Sequence, residues 1–351
     1  MYNRKKRLFL TAVCLSLGLL TGCNVGDTKN YKQAAQDLEQ GNYEAALEEY
    51  ETAISEGVKP AQSYRGAGVA KLKLGNYEEA ITYFNDALKC DKVGKALKKD
   101  ILSYRAVAYL KVKDYEAALE DCQTLAENYK MDADLYFLSG EVALAMDSYE
   151  EAASYFEQAY GEDATYDMAI RIYAVYLEQD MEADGTRYLE AALSGEAKNA
   201  QDHCDRGRVY YYMDDYDNAS EELKQAIDGG NTEAMALLGM VYMEQKDTAN
   251  ARSLFQQYVS QAENGAKGYN GLALCDIADG DYDSALSNIS SGISAADAED
   301  MQSLLFNEMV VYEKKLDFAT ALQKAEEYMN MYPDDKTAKK ELAFLKTRVE
   351  S

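Results

Sequence analysis

A short motif recurs along this sequence at a nearly constant spacing. Each copy has a small or polar residue, an aromatic residue, acidic or polar residues and then an alanine, as in the stretch from Asn42 to Ala46. The aromatic position falls at residues 43, 77, 115, 149, 182, 216, 248, 282 and 318, with weaker copies at Glu182, Thr248 and Phe318. These positions lie 32 to 38 residues apart, most often 34. Because a fixed period of this length is typical of stacked supersecondary units, we predict a repeat array rather than one compact core.

The residues around the motif favour a helix, a turn and a second helix in every repeat. Three glycines suit the left-handed turn that ends a first helix: Gly41, Gly75 and Gly280. The next residue is polar and is predicted to cap the second helix, as at Asn42, Asn76, Asp114, Ser148, Asp215 and Asp281. Small residues predict a close crossing of the two helices, and those on the first helix are Gly68, Gly140, Gly207 and Gly239. Only two prolines occur in 351 residues, which agrees with a nearly all-helical chain.

These signatures and their 34-residue period resemble the tetratricopeptide repeat, a helix–turn–helix unit. The resemblance covers roughly residues 27–335 and implies an all-α, right-handed solenoid of about nine repeats over residues 31–335. Residues 336–351 are predicted to form a C-terminal capping helix. The fifth repeat is the least regular, because Glu182 replaces the aromatic residue. The resemblance also implies a concave groove, lined by the first helices, that binds an extended peptide or a helix of a partner protein.

Mapping the groove positions of this family onto the sequence gives candidate partner-binding residues. They are Arg65, Phe137, Glu141, Arg208, Tyr211, Tyr212 and Phe306, and the wider set includes Met240, Met243, Leu274 and Ile277. The densest polar and aromatic cluster among them is Arg208 with Tyr211 and Tyr212. The alternative is that some of these side chains pack against neighbouring helices instead of facing the groove.

The first residues have the order of a secretory leader. A basic cluster from Arg4 to Arg7 precedes a largely apolar run over residues 8–20, which is too short to span a bilayer. The run ends in Leu20-Thr21-Gly22-Cys23, which resembles the lipobox of bacterial lipoproteins. That resemblance implies cleavage before Cys23 and attachment of fatty acyl chains such as palmitate to this cysteine. An ordinary signal peptide with an incidental cysteine and an uncleaved anchor are the alternatives. The predicted organisation is a leader at 1–22, then the lipidated Cys23 and a short tether at 23–30.

Charge and motif content limit the possible functions. The chain has 62 acidic and 36 basic residues, a net charge of −26, so we expect no nucleic-acid partner. Its one histidine, His203, is expected to be structural, the cysteines show no CxxC spacing, and no metal, cofactor or catalytic motif is found. A non-enzymatic interaction protein, lipid-anchored to a bacterial membrane outside the cytoplasm, is therefore favoured over a surface glycan-binding lipoprotein, and an enzyme is least expected. Because the chain is so acidic, we expect it to reach the membrane through Cys23 alone.

Overall fold

The computed structural model describes residues 29–349, apart from the side chains of residues 298 and 299. Within this range the chain forms nineteen α-helices and no strand, which confirms the predicted all-α fold. None of the described helices has the length and apolar character needed to cross a bilayer. The helices form two compact units, which divide between Ala164 and Thr165. The predicted leader, the lipidation site at Cys23 and most of the tether lie outside the described residues.

The N-terminal unit, residues 29–164, consists of four helix pairs. They are α1 (Lys29–Glu39) with α2 (Tyr43–Ser55), α3 (Pro60–Lys73) with α4 (Tyr77–Lys89), α5 (Lys95–Val112) with α6 (Tyr115–Asn128), and α7 (Ala133–Ala145) with α8 (Tyr149–Glu162). Each first helix also contacts the first helix of the next pair, so the first helices of this unit form one layer. The longer spacing before the third motif is accommodated by α5, which has 18 residues.

The C-terminal unit, residues 165–349, consists of five helix pairs and one further helix. The pairs are α9 (Tyr166–Glu178) with α10 (Glu182–Ala192), α11 (Ala200–Tyr212) with α12 (Tyr216–Asp228), α13 (Glu233–Glu244) with α14 (Thr248–Gln261), α15 (Ala266–Asp279) with α16 (Tyr282–Ala295), and α17 (Ala298–Lys314) with α18 (Phe318–Met331). Helix α19 (Lys336–Val349) packs against α18. Here too, each first helix contacts the first helix of the next pair.

The repeated motif marks the start of the second helix in each repeat. All nine aromatic-position residues, from Tyr43 to Phe318, are the first residue of their helix, including Glu182 and Thr248 in the weaker copies. The predicted caps are correct at Asp114, Asp215 and Asp281, whose carboxylates accept a backbone N–H three residues ahead. The same prediction is wrong for Asn42, Asn76 and Ser148, which make no such hydrogen bond. The Asn42 amide instead donates to Asp37 Oδ1 at 3.3 Å.

The turn between the two helices holds one left-handed residue in every repeat. Gly41, Gly75 and Gly280 have φ values of 80°, 73° and 79°, as predicted. The equivalent residues in the other six repeats have φ between 59° and 63° although none of them is glycine: Lys113, Asp147, Asp180, Asp214, Lys246 and Leu316. Side chains with a Cβ rarely adopt this conformation, so these six turns are strained in the same place.

Glycines on the first helices allow the second helix to approach closely. A Cβ added to Gly140 would lie 2.6 Å from Phe156 Cε1, and one added to Gly68 would lie 2.6 Å from Phe84 Cε1. Gly239 faces Phe255 at the same distance, and Gly207 faces Leu223 Cγ at 2.5 Å. Since these four large side chains are fully buried, the close helix crossing predicted from the small residues is confirmed in these four repeats.

Candidate functional site

Four of the candidate groove residues lie in the core rather than at the surface. Phe137, Tyr211, Tyr212 and Phe306 are only 2–4% exposed. The rings of Phe137 and Phe156 lie 5.8 Å apart, and that of Phe306 meets Tyr328 edge-on at 5.7 Å. The expectation that these four side chains are open to a partner is therefore wrong. Large aromatic side chains at these positions extend into the space between helices, which is the alternative left open by the sequence.

The tyrosine pair on α11 cannot present its rings to a sugar. Tyr211 and Tyr212 pack edge to face at 5.9 Å, and Tyr212 also lies 6.3 Å from Tyr173. Burial raises the pKa of Tyr212 to about 12. A sugar ring would stack on the exposed face of an aromatic side chain, but both rings are part of the hydrophobic core, so this aromatic pair does not support the glycan-binding alternative.

Arg65 joins two first helices of the N-terminal unit. Its Nε donates to Asp100 Oδ2 at 2.5 Å, which links α3 to α5. The guanidinium carbon lies 4.9 Å from the centre of the Tyr104 ring. Burial opposes the charge, but Asp100 raises the pKa of Arg65 above its usual value. Arg65 is therefore already held by an acidic and an aromatic side chain.

Arg208 plays the same part in the C-terminal unit. Its Nη2 donates to Asp167 on α9 and, at 3.0 Å, to Asp205 on its own helix. Burial disfavours the charged guanidinium, yet the two carboxylates raise its pKa. Reversing this charge would leave three acidic side chains together, so an Arg208→Glu change would affect stability as well as binding. The remaining candidate, Glu141 on α7, is half-buried like the two arginines. It is not one of the aromatic residues of the core.

A half-exposed apolar strip remains on the first helices of the C-terminal unit. Met240 and Met243 lie on α13, and Leu274 and Ile277 lie on the neighbouring α15. All four come from the wider groove set, and each is half-buried rather than enclosed. We call these four residues the apolar strip. Helices α13 and α15 contact each other, so the strip spans two adjacent repeats.

A polar ladder that was not predicted from the sequence joins α15 and α17. The Asn307 amide donates to Asn270 Oδ1 at 2.7 Å, and the Asn270 amide donates to Ser303 Oγ at 3.2 Å. All three side chains are half-buried. The available signal was an asparagine near the middle of each of two consecutive first helices. The ladder fixes the alignment of the two helices and leaves amide groups at the edge of the same layer.

The lone histidine is held by structural contacts. His203 Nδ1 lies 2.6 Å from Glu222 Oε2, and the other oxygen of Glu222 accepts a hydrogen bond from Arg206 Nε at 2.7 Å. Within residues 29–349, no cluster of three or more His, Cys, Asp and Glu side chains could hold a metal ion. The four cysteines of that range, Cys90, Cys122, Cys204 and Cys275, are free thiols.

The helix pairs with glycine turns and buried small residues match a known family. The sequence fits the profile of the tetratricopeptide repeat over residues 31–94, 105–167 and 204–266, which is more than half of the chain. The chain belongs to the tetratricopeptide repeat family. Proteins of this family bind protein partners and are generally non-catalytic, so the fold suggests a scaffold for protein–protein interaction.

Individual relatives resemble only part of this tetratricopeptide repeat chain or its general fold. Tetratricopeptide repeat protein 12 of Homo sapiens is 32% identical over 123 residues, which are 33% of this chain and 17% of the human protein. Yeast Tom70 is 14% identical, with 92% of this chain and 88% of that chain covered at a TM-score of 0.41. A tetratricopeptide repeat protein from Parabacteroides merdae ATCC 43184 is 16% identical, with coverages of 70% and 97% and a TM-score of 0.42. The chain spans less than a fifth of the human relative, and none of these likenesses identifies its partner.

Proposed function

We propose that this chain is a non-catalytic scaffold, anchored outside the cytoplasm of a bacterium by a lipidated Cys23, whose C-terminal unit binds a segment of another protein. The binding surface is the layer of first helices around the apolar strip. The observation that carries the proposal is that strip, because its side chains stay half-buried while four aromatic groove candidates are buried in the core: Phe137, Tyr211, Tyr212 and Phe306.

The chemistry of the strip favours a helical or extended segment with apolar side chains. Two flexible methionines lie on α13, and the branched Leu274 and Ile277 lie on α15, which contacts α13. Methionine adapts its shape to different apolar partners, and a contiguous apolar patch on a soluble surface commonly marks an interaction site. Adjacent first helices present these side chains over two repeats, which suits a partner helix or an extended strand rather than a small molecule.

A charge placed in the strip tests this surface. From solubilised membranes, the Met243→Glu variant should co-purify at least about tenfold less of the partner protein than the wild-type chain does. The reason is that binding would bury the new carboxylate against apolar groups. Met243→Leu keeps the surface apolar and should retain the partner. Gln257→Glu on the exposed side of α14 introduces the same charge on a second helix and is the matched control.

Quantitative mass spectrometry of the captured proteins compares the four chains. If Met243→Glu and Gln257→Glu retain the same proteins in the same amounts, the apolar strip is not the binding surface. Circular dichroism of each variant shows whether a loss of partner comes from loss of the fold.

The membrane anchor is supported by the order of residues in the leader. The basic cluster, the short apolar run and Leu20-Thr21-Gly22-Cys23 follow one another as lipidation requires. Replacing Cys23 by alanine should remove the acyl groups from the protein, which mass spectrometry of the chain detects. The variant should either leave the membrane fraction or keep its leader uncleaved. Cys14→Ala alters a cysteine inside the leader, upstream of Cys23, and should leave the anchor intact. A Cys23→Ala protein that still carries acyl chains would disprove the assignment.

A further inference from the structure

Exposed apolar side chains are concentrated near the end of the chain. Among the described residues, four of the five exposed large hydrophobic side chains lie within the ninth repeat and α19: Leu316, Met331, Phe344 and Val349. Leu316 is 73% exposed and also occupies the strained left-handed turn position. Exposed apolar side chains are costly in water, and their concentration in this part of the sequence points to a function for the C-terminal end of the described chain.

Helix α19 is also basic, in contrast with the acidic chain around it. It carries five basic side chains, Lys336, Lys339, Lys340, Lys346 and Arg348, and a single acidic one, Glu341, which is buried. Lys339 and Lys340 have no ion-pair partner within residues 29–349. Lys336 and Lys346 lie 3.8 Å and 4.0 Å from exposed carboxylates, and such pairs stabilise little.

Lys346 and Arg348 lie in the last turn of α19, where cations favour the helix dipole, but the lysines at its start do not stabilise the helix in this way. The first turn of α19 has no acidic residue, whereas Glu78 and Glu79 begin α4. Lysines near a helix N-terminus face the positive end of the helix dipole, which is unfavourable. The free N–H groups are satisfied instead by Asp335, which accepts from the backbone of Thr337 at 2.8 Å.

The positions of the lysines place them on the outward face. Ala338, Glu341 and Leu345 are the buried residues of α19 and define its inner side. At 3.6 residues per turn, Lys336 and Lys340 fall opposite that side, with Lys339 and Lys346 on one flank. Phe344 lies on the other flank, beneath the Arg348 guanidinium at 4.9 Å. The outward face is therefore a row of exposed cations beside an exposed aromatic ring.

We propose that the outward face of α19 binds the surface of an anionic lipid bilayer. The face is an open row of flexible lysines, and such a row suits a fluid layer of negative headgroups that imposes no fixed geometry. Phe344, on a flank of the same helix, supplies an exposed apolar group of the type that enters the interface.

This contact departs from the expectation, drawn from the net charge, that the chain reaches the membrane through Cys23 alone. Charges beyond about 8–10 Å are largely screened at physiological salt, so the acidic residues far from α19 oppose the contact little, although Glu178 and Glu326 lie beside Lys336 and Lys346. The contact does not depend on Cys23, so it goes beyond the proposed anchor and either proposal can fail alone.

The test uses the chain from Asn24 onward, which lacks Cys23 and keeps all nineteen described helices. Its partition onto phosphatidylcholine vesicles is measured by co-sedimentation with and without phosphatidylglycerol. We expect binding only with the anionic lipid, and weaker binding at higher salt. Each lysine near an anionic surface contributes about fivefold to the affinity for the vesicles. The Lys339→Glu/Lys340→Glu variant should therefore bind these vesicles at least about 25-fold more weakly than the parent chain.

A matched double variant controls for net charge. Lys89→Glu/Lys130→Glu makes the same charge change at two exposed lysines of the N-terminal unit and should bind as the parent does. Lys339→Gln/Lys340→Gln repeats the test with less risk to the fold, which circular dichroism checks. Equal binding to both kinds of vesicle, or an equal loss in the control, would overturn the proposal. So would capture of polyglutamate through Lys339 and Lys340 without capture of vesicles, since the ligand would then be an acidic polypeptide.

Discussion

The close crossing of α7 and α8 makes a sharp prediction for one methyl group. In Gly140→Ala, the new Cβ would lie 2.6 Å from Phe156 Cε1 and 2.7 Å from Cδ1. The Phe156 ring is fully buried, with Phe137 at 5.8 Å, so it has little room to move the ångström or so that an ordinary contact requires. Overpacking of this kind costs about 1–3 kcal/mol, and the enclosed ring favours the upper half of that range.

Helix propensity acts in the opposite direction. Replacing glycine by alanine inside a helix stabilises it by up to about 1 kcal/mol, so the net destabilisation expected for Gly140→Ala is about 1–2 kcal/mol. Gly161→Ala is the matched control in the same repeat, because a Cβ at Gly161 would meet nothing within 4 Å. Near the end of α8 it should stabilise by about 0.5 kcal/mol.

Urea unfolding followed by circular dichroism measures both variants against the parent chain. Because repeat arrays open region by region, hydrogen exchange at the amides of α7 and α8 reports the local free energy most directly. The two substitutions should change that free energy in opposite directions. If Gly140→Ala stabilises α7 as Gly161→Ala stabilises α8, the crossing is looser than described and the helix register in the fourth repeat is wrong.

Three further predictions concern turns, ion pairs and thiols. Lys113→Gly should be about 1 kcal/mol more stable than Lys113→Ala in urea unfolding, because only glycine relieves the turn strain and both changes remove the charge. Arg105→Ala breaks a buried two-point contact with Asp121 and should cost about 3 kcal/mol, whereas Lys89→Ala at an exposed pair should cost under about 0.5 kcal/mol. Burial raises three thiol pKa values from 9 to about 11–12, so the folded state holds protons that the unfolded chain releases. The free energy of unfolding should therefore fall as the pH rises above 9, by up to about 1.4 kcal/mol per pH unit for each thiol. Replacing Cys122, Cys204 or Cys275 by alanine should make this fall with pH less steep in urea unfolding.

The fold follows from local signals that recur in register. The motif from Asn42 to Ala46 locates a helix start, a turn and a buried small residue together, and nine copies repeat the same information. The turn residues Lys113 and Leu316 were not predictable from residue type, because neither favours a left-handed conformation. Only their register with Gly41 reveals them. Asp247 and Asp317 likewise cap their helices although the weaker motif copies gave no such indication.

The candidate site was less accessible to sequence reasoning. Family positions place Tyr211 and Arg208 on the first-helix face, but exposure depends on how far the next helix lies from each side chain. The ion pair of Arg65 with Asp100 depends on the offset between α3 and α5, which no pattern within a single helix encodes. Met240 and Met243 pack on the core cluster that contains Phe255 and Leu272 yet stay half-buried, which the pattern of a single helix does not encode. The surface proposed for binding therefore lies within the mapped groove set, at apolar residues rather than at the aromatic ones.

Site-specific photo-crosslinking in the native cell tests the central claim most directly. A photoreactive residue is placed at Met243 in the apolar strip and, in a second chain, at Gln257 on the exposed side of α14. We predict a discrete crosslinked protein from position 243 that is absent from position 257 and disappears when Ile277 is changed to Glu. Equal crosslinking from both positions, or a discrete product from position 257 alone, would contradict a binding surface on the first helices.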